Sequence, residues 1–106
     1  MIRAADQKIL NEFADRVRAI YPEARIWAFG SRARGDAAPD SDFDICVVIP
    51  KADRAAKAQV QDIAWGVGFE PGLLIQALCY SEEEFNYGPR KVSPLMKYIF
   101  TEGVAA

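Results

Sequence analysis

Histidine is absent from this chain of 106 residues, and cysteine occurs only twice, as Cys46 and Cys79. The missing histidine removes the commonest general base and the commonest zinc ligand. The two cysteines lie in apolar runs, with neither a CxxC spacing nor a histidine to share a metal with, so we expect two buried, reduced thiols. Proton transfer by this protein must therefore use Asp, Glu, Lys, Tyr or water.

Long apolar runs and an excess of positive charge are also missing. No apolar run approaches the length of a membrane span, and residues 1–6 lack the apolar core of a signal peptide. With 13 basic and 15 acidic residues the net charge is −2, which does not favour general electrostatic binding to nucleic acid. We therefore expect a cytoplasmic protein that has no membrane contact.

Hydrophobic residues make up 51% of the chain, enough to bury one modest core, and the length predicts a single domain over residues 1–106. Helical and strand periodicities alternate along the chain, which predicts an α/β (α+β) fold: a small mixed sheet of three to four strands with helices packed on it. Trp27 and Trp65 lie in these elements and are expected in the core. The predicted helices cover residues 6–21, 32–36, 53–65 and 94–100, with a capped helical turn from residue 81, and the predicted strands cover residues 25–29, 42–49 and 73–80.

A Gly-Ser turn follows the first predicted strand and opens the short helix. A helix N-terminus after a strand offers unpaired backbone N–H groups to an anion, and Gly30 lets a phosphate approach the backbone without a Cβ in the way. The Ser31 hydroxyl can cap the helix, donate to a phosphate oxygen, or both. Because so short a helix points Arg32 and Arg34 in different directions, we expect at most one of them at a phosphate. Taken alone, the Gly30–Ser31 pair after a strand is also compatible with an ordinary turn.

Two carboxylates lie at the head of the second predicted strand. Asp42 and Asp44 point to the same face of a strand, with Cα atoms about 6.5 Å apart, so their charges repel each other. A Mg²⁺ ion between them removes that repulsion and leaves coordination positions for triphosphate oxygens. The alternative is a solvated acidic loop. Together with the Gly-Ser turn, the pair favours a site for a nucleoside triphosphate and a divalent cation.

The motif GSRARG at residues 30–35, followed by SDFD at residues 41–44, resembles the signature of the nucleotidyltransferase superfamily that includes DNA polymerase beta. The small size resembles its minimal nucleotidyltransferase (MNT) group. Residues 73–85 are similar to that group's third strand and following segment, and residues 94–104 to its terminal helix. The resemblance therefore covers most of the chain and implies the nucleotidyltransferase fold.

This resemblance implies roles for particular residues. Gly30, Ser31 and Arg34 would bind the nucleotide, and Asp42 and Asp44 would be both catalytic residues and metal ligands. The implied cofactor is Mg²⁺, with Mn²⁺ as the alternative, and the implied substrate is ATP or another nucleoside triphosphate. The implied chemistry is attack of an acceptor hydroxyl on the α-phosphorus, with pyrophosphate leaving.

One position departs from the pattern of the superfamily. Active members usually carry a third carboxylate on the third strand, where this chain has Gln76, which cannot act as a base and is a weaker ligand than a carboxylate. Glu70, before that strand, is a candidate substitute. A catalytically degenerate module that binds a nucleotide or only a partner is therefore the alternative to an enzyme.

The resemblance also implies a partner. Minimal nucleotidyltransferases are commonly paired with a helical HEPN-domain protein as a two-component toxin–antitoxin module, which would make this chain the antitoxin. A domain this small has no evident lid for the base or the acceptor, so we expect a partner chain to complete the site. The open edges of a short sheet could also be covered by a second copy, giving a homo-oligomer.

Overall fold

The computed structural model describes residues 1–87, 99 and 101–106. The helix expected over residues 94–100 lies outside the described residues, apart from Ile99. Within the described residues, helices and strands alternate almost throughout, in the order α1 (Ala4–Ile20), β1 (Arg25–Phe29), α2 (Gly30–Arg34), β2 (Phe43–Ile49), α3 (Arg54–Phe69), β3 (Ile75–Ser81), α4 (Glu82–Tyr87) and β4 (Val104–Ala105).

The strands form one mixed sheet in the order β3-β2-β1-β4. β1 is antiparallel to both β2 and β4, whereas β2 and β3 are parallel and are joined by the crossover helix α3. The predicted fold class, a small mixed sheet with helices packed on it, is therefore confirmed. Val104, which the resemblance places at the end of a terminal helix, lies instead in β4, a strand of two residues that pairs with Ala28 of β1.

The two faces of the sheet are covered differently. On one face α1 and α3 pack over the odd-numbered residues of β2, for example Phe43 and Ile45, which are fully buried. On the other face Cys46 and Val48 pack with Phe85 of α4. Because side chains alternate along a strand, Asp44 shares this second face. The sheet thus carries its main core on one side and Asp44 on the other.

α3 extends four residues beyond its predicted end near Trp65. Its glycines do not end the helix: a Cβ on Gly68 would lie 2.2 Å from the carbonyl oxygen of Leu73, so this glycine allows the following loop to pack closely. Trp65 itself is 68% exposed, which makes the expectation of a core tryptophan wrong at this position. Trp27 is half-buried and stacks on Phe85, with ring centroids 5.7 Å apart.

The predicted helix starts are confirmed where they rest on side-chain caps. Asp53 accepts a hydrogen bond from the backbone N–H of Ala56 at 2.8 Å. Ser81 and Glu84 form a reciprocal capping box, each backbone N–H donating to the other's side chain at 3.0 Å. The backbone N–H of Ser81 holds the pKa of Glu84 below its ordinary value. These local bonds are readable from sequence because both partners are three residues apart.

Both cysteines are free thiols, Cys46 buried and Cys79 half-buried. Burial raises the pKa of Cys46 to about 12 and also raises the pKa of Cys79. Both thiols are therefore protonated at neutral pH and poorly reactive. In the part of the chain that the structure describes, no helix combines the length and apolarity needed to cross a membrane.

Candidate functional site

Three strand ends meet where the sequence places its candidate residues. Asp44, the second residue of β2, is the register partner of Phe29 at the end of β1 and of Gln76 near the start of β3. The Gly-Ser turn follows Phe29 directly. The sheet register therefore brings the turn, the acidic pair and the third-strand position to one end of the sheet.

Gly30 lies close to Asp44, the second member of the acidic pair. It has a φ of +79°, in the left-handed region that favours glycine, and a Cβ at this position would lie only 2.7 Å from Oδ2 of Asp44. Helix α2 starts at Gly30 rather than at Arg32, because Phe29 is its N-cap. The N-cap Phe29 makes no side-chain cap bond, and Ser31 is the second residue of the helix rather than its N-cap, half-exposed beside the turn.

The two arginines of the motif point in different directions, as expected. Residues two apart on a helix are separated by about 200° around its axis. Arg32 is turned inward, 8% exposed, and forms an ion pair of 3.0 Å with Asp6 of α1. Arg34 is exposed and its Nε lies 3.2 Å from Oδ2 of Asp36. Of the two, only Arg34 lies at the surface.

Asp42 and Asp44 are close enough to interact electrostatically. Burial raises the pKa of Asp44, and the negative charge of Asp42 raises it further. β2 begins at Phe43 rather than at the predicted Asp42, although the backbone N–H of Phe43 still bonds to the carbonyl of Leu74 at 2.9 Å. Two repelling carboxylates offer the hard oxygen ligands that Mg²⁺ prefers. Among the described residues, no group of three or more His, Cys, Asp or Glu side chains is placed to hold a metal ion.

Gln76 lies beside Asp44, and Glu70 does not. Gln76 is exposed and, as the register partner of Asp44 in a parallel ladder, shares its face of the sheet. Glu70 follows the last turn of α3 and lines a groove of about 470 Å³ with residues of α1 such as Glu12 and Arg16. This groove is on the side of the sheet covered by the helices. The structure therefore does not bring Glu70 to the acidic pair, and the amide of Gln76 occupies the third position.

The family model described as "Nucleotidyltransferase domain" matches residues 10–100. This chain belongs to the nucleotidyltransferase domain family. The match covers both motifs, and it confirms the resemblance drawn from the sequence at the level of the family. A comparison with curated proteins finds no significant match.

Solved structures confirm the fold of this nucleotidyltransferase domain. A chain from the crystal structure of a toxin–antitoxin with AMP-PNP matches with a TM-score of 0.63 and 20% identity, covering 90% of this chain and 69% of that one. A proposed nucleotidyltransferase from Sulfolobus solfataricus matches with a TM-score of 0.52 and 21% identity, covering 92% of this chain and 76% of that one. At these identities the likeness is one of fold.

Sequence reasoning missed the structural use of Arg32 in this nucleotidyltransferase domain. The sequence predicted that at most one of the two arginines lies at a phosphate, but it gave no role to Arg32, which the structure bonds to two part-buried backbone carbonyls and to Asp6. The helical angle between residues 32 and 34 predicted that they diverge. Which of them turns inward depends on the position of α1, which the local sequence does not determine.

Proposed function

We propose that this chain is a Mg²⁺-dependent enzyme that transfers a nucleoside monophosphate from ATP, or another nucleoside triphosphate, to an acceptor hydroxyl. The observation that carries the proposal is the contact between the Gly30 turn and Asp44, with Asp42 beside it, in a chain of the nucleotidyltransferase domain family. Family members generally use a nucleoside triphosphate and a divalent metal. We propose that the single domain over residues 1–106 acts in the cytoplasm.

In this proposal the turn holds the triphosphate. Gly30 leaves its backbone open to the β- and γ-phosphates, Ser31 donates its hydroxyl to a phosphate oxygen, and Arg34 contributes positive charge at the surface. The net charge of the chain is negative, so attraction for the nucleotide depends on these local groups.

Asp42 and Asp44 fit a divalent cation. Burial and, after it, the negative charge of Asp42 raise the pKa of Asp44, and a cation between the two carboxylates would relieve both costs of ionising it. When bound, Mg²⁺ would neutralise charge on the phosphates during transfer. The bond from the acceptor oxygen to the α-phosphorus forms, and the bond from that phosphorus to pyrophosphate breaks. Gln76 has no basic atom, so the proton of the acceptor hydroxyl passes to water rather than to this position.

We further propose that the chain is the antitoxin of a HEPN/MNT-type module and binds a helical HEPN-type toxin. Two observations support a protein partner. One structural neighbour comes from a toxin–antitoxin. In addition, Trp65, Phe69 and Leu74 are 68%, 78% and 49% exposed and form an apolar patch of the kind that marks protein interaction surfaces.

A second candidate function is binding without turnover. Gln76 favours it, because the position beside Asp44 holds a neutral amide instead of the third carboxylate. In this case the chain would bind a nucleotide, or only its partner, and would neutralise the toxin by covering it. Incubating the chain and its partner with ATP labelled in the α-phosphate distinguishes the two candidate functions, since only an enzyme attaches that label to an acceptor.

The nucleotide site itself is tested by titrating ATP into the chain by calorimetry, first with Mg²⁺ and then with EDTA. We expect metal-dependent binding that the double variant Asp42→Ala/Asp44→Ala loses. The matched control is Asp40→Ala, which removes an exposed carboxylate from the same loop and should bind ATP within about twofold of wild type. Binding of ATP that is indifferent to the double variant, or absent from wild type, would contradict the proposed site.

A further inference from the structure

Arg32 connects three segments of the chain from a buried position. Its Nε donates to the carbonyl of Ser41 at 2.9 Å, its Nη2 to the carbonyl of Pro39 at 3.1 Å, and its Nη1 to Oδ1 of Asp6 at 3.0 Å. The residue belongs to α2, Asp6 to α1, and the two carbonyls to the loop that leads into β2. All three sets of guanidinium donors are therefore used to hold structure.

These bonds connect the Gly30–Ser31 turn to the loop that carries Asp42. Arg32 lies two residues after Gly30 in the same short helix, and Ser41, whose carbonyl it binds, directly precedes Asp42. The loop has one further internal bond, from the backbone N–H of Ser41 to the carbonyl of Ala38 at 3.0 Å. The side chain of Arg3 also holds this loop, by donating to the carbonyl of Ala37 at 3.1 Å, whereas Arg32 binds the carbonyl that directly precedes the first carboxylate.

The buried Arg32–Asp6 ion pair positions the loop more than it stabilises the fold. Asp6 is 4% exposed, and its Oδ2 has no hydrogen-bond partner among the described residues. Burying an ion pair costs desolvation that its attraction often fails to offset, so well-packed apolar residues are frequently as stable. A planar guanidinium, however, can donate in three fixed directions, which neither an apolar side chain nor a lysine can do.

We propose that Arg32 is a positioning residue that sets the distance between the Gly30–Ser31 turn and Asp42 and thereby controls Mg²⁺-dependent nucleotide binding. The inference rests on the proposed function of the site. Arg32 touches no substrate in this scheme. It acts through the loop that it holds.

The test compares Arg32→Lys with a matched control, Arg18→Lys. Arg18 also donates to two backbone carbonyls, those of Ala24 at 3.0 Å and Ala106 at 2.9 Å, but Ala24 lies at the opposite end of β1 from the turn. We expect both variants to lower the Tm. Only Arg32→Lys should weaken ATP binding in Mg²⁺, by roughly 10-fold or more, and speed amide hydrogen exchange in residues 37–44.

Equal losses of ATP affinity in the two variants, or unchanged affinity in folded Arg32→Lys, would overturn the inference. If Arg32→Lys does not fold, the double variant Asp6→Asn/Arg32→Gln replaces it, because removing both buried charges avoids an unpaired ion. If the wild-type chain binds no ATP, the proposed function fails, and hydrogen exchange of the loop still decides whether Arg32 fixes it: unchanged exchange would refute the inference.

Discussion

Asp44 and Gln76 lie side by side in the parallel ladder between β2 and β3, and both face the side of the sheet opposite α1 and α3. Asp44 is also paired with Phe29 on the other neighbouring strand. A neutral amide therefore stands next to a carboxylate whose pKa is already raised. In the proposed metal site, this neighbourhood would determine how strongly a cation is attracted, and it leads to the first prediction.

Replacing Gln76 by Glu should strengthen the proposed metal site. We expect Gln76→Glu to tighten Mg²⁺ binding by about 10-fold, because a third carboxylate adds a charged oxygen ligand beside Asp44. Without metal the same variant should have a lower Tm at pH 7.5, because a third negative charge adds repulsion. Calorimetry and thermal unfolding with and without Mg²⁺ measure both effects. Gln76→Met is the uncharged control, and Mg²⁺ affinity that is equal in the Glu and Met variants would refute the prediction.

Gly30→Ala should damage the site more than an equivalent change elsewhere. Gly30 and Gly72 both have left-handed φ values, +79° and +68°, but a Cβ at Gly72 meets nothing within 4 Å, whereas one at Gly30 meets Asp44. Each substitution should cost about 1 kcal/mol for the backbone. Only Gly30→Ala should also weaken Mg²⁺-dependent ATP binding, by roughly 10-fold or more. If calorimetry finds the same ATP affinity for Gly30→Ala and Gly72→Ala, the close approach of Gly30 to Asp44 has no influence on nucleotide binding.

The raised pKa of Asp44 predicts a pH-dependent stability. A carboxyl that binds its proton more tightly in the folded chain destabilises the fold once it ionises, so its contribution worsens as pH rises through the folded-state pKa. Asp44→Asn should therefore raise the Tm at pH 7.5. The gain should vanish at a pH below the ordinary range of aspartate, where both states of the wild-type residue are protonated.

Adding Mg²⁺ to the same two proteins tests the proposed metal site. Mg²⁺ should raise the Tm of the wild-type chain at pH 7.5 and leave the Tm of Asp44→Asn unchanged, because a ligand stabilises only the state that binds it. Asp40→Asn, at an exposed position of the same loop, should behave as wild type. If Asp44→Asn is less stable than wild type at pH 7.5, the ionised carboxylate of Asp44 contributes favourable contacts and the prediction is wrong.

Trp65 should be dispensable for stability despite its size. Because it is 68% exposed, Trp65→Gln removes little buried surface and should change the free energy of unfolding by less than about 0.5 kcal/mol. Phe13→Ala, at a fully buried position of α1, should cost about 3–5 kcal/mol. Urea unfolding of both variants makes the comparison, and a cost for Trp65 near that of Phe13 would mean that the tryptophan is buried in solution.

Local patterns were enough to predict most of the helices and strands. The Asp53 cap and the Ser81–Glu84 box were readable because a cap depends on residues three positions apart. The end of α3 could not be predicted in this way. Gly68 looks like a helix breaker in the sequence, but in the structure it allows close packing against the backbone of Leu73. β4 was missed because a strand of two residues carries no periodicity of its own.

For this protein the sequence by itself determined the alternation of elements, the family, and the identity of the candidate site residues, since the spacing of Gly30, Ser31, Asp42 and Asp44 is a local chemical pattern. Only the tertiary structure decided that Asp44 pairs with Gln76, that Glu70 lies on the other face, and that Arg32 is buried. The physical reason is that strand register and the packing of α1 join residues far apart in the chain, and no local propensity encodes which of them meet.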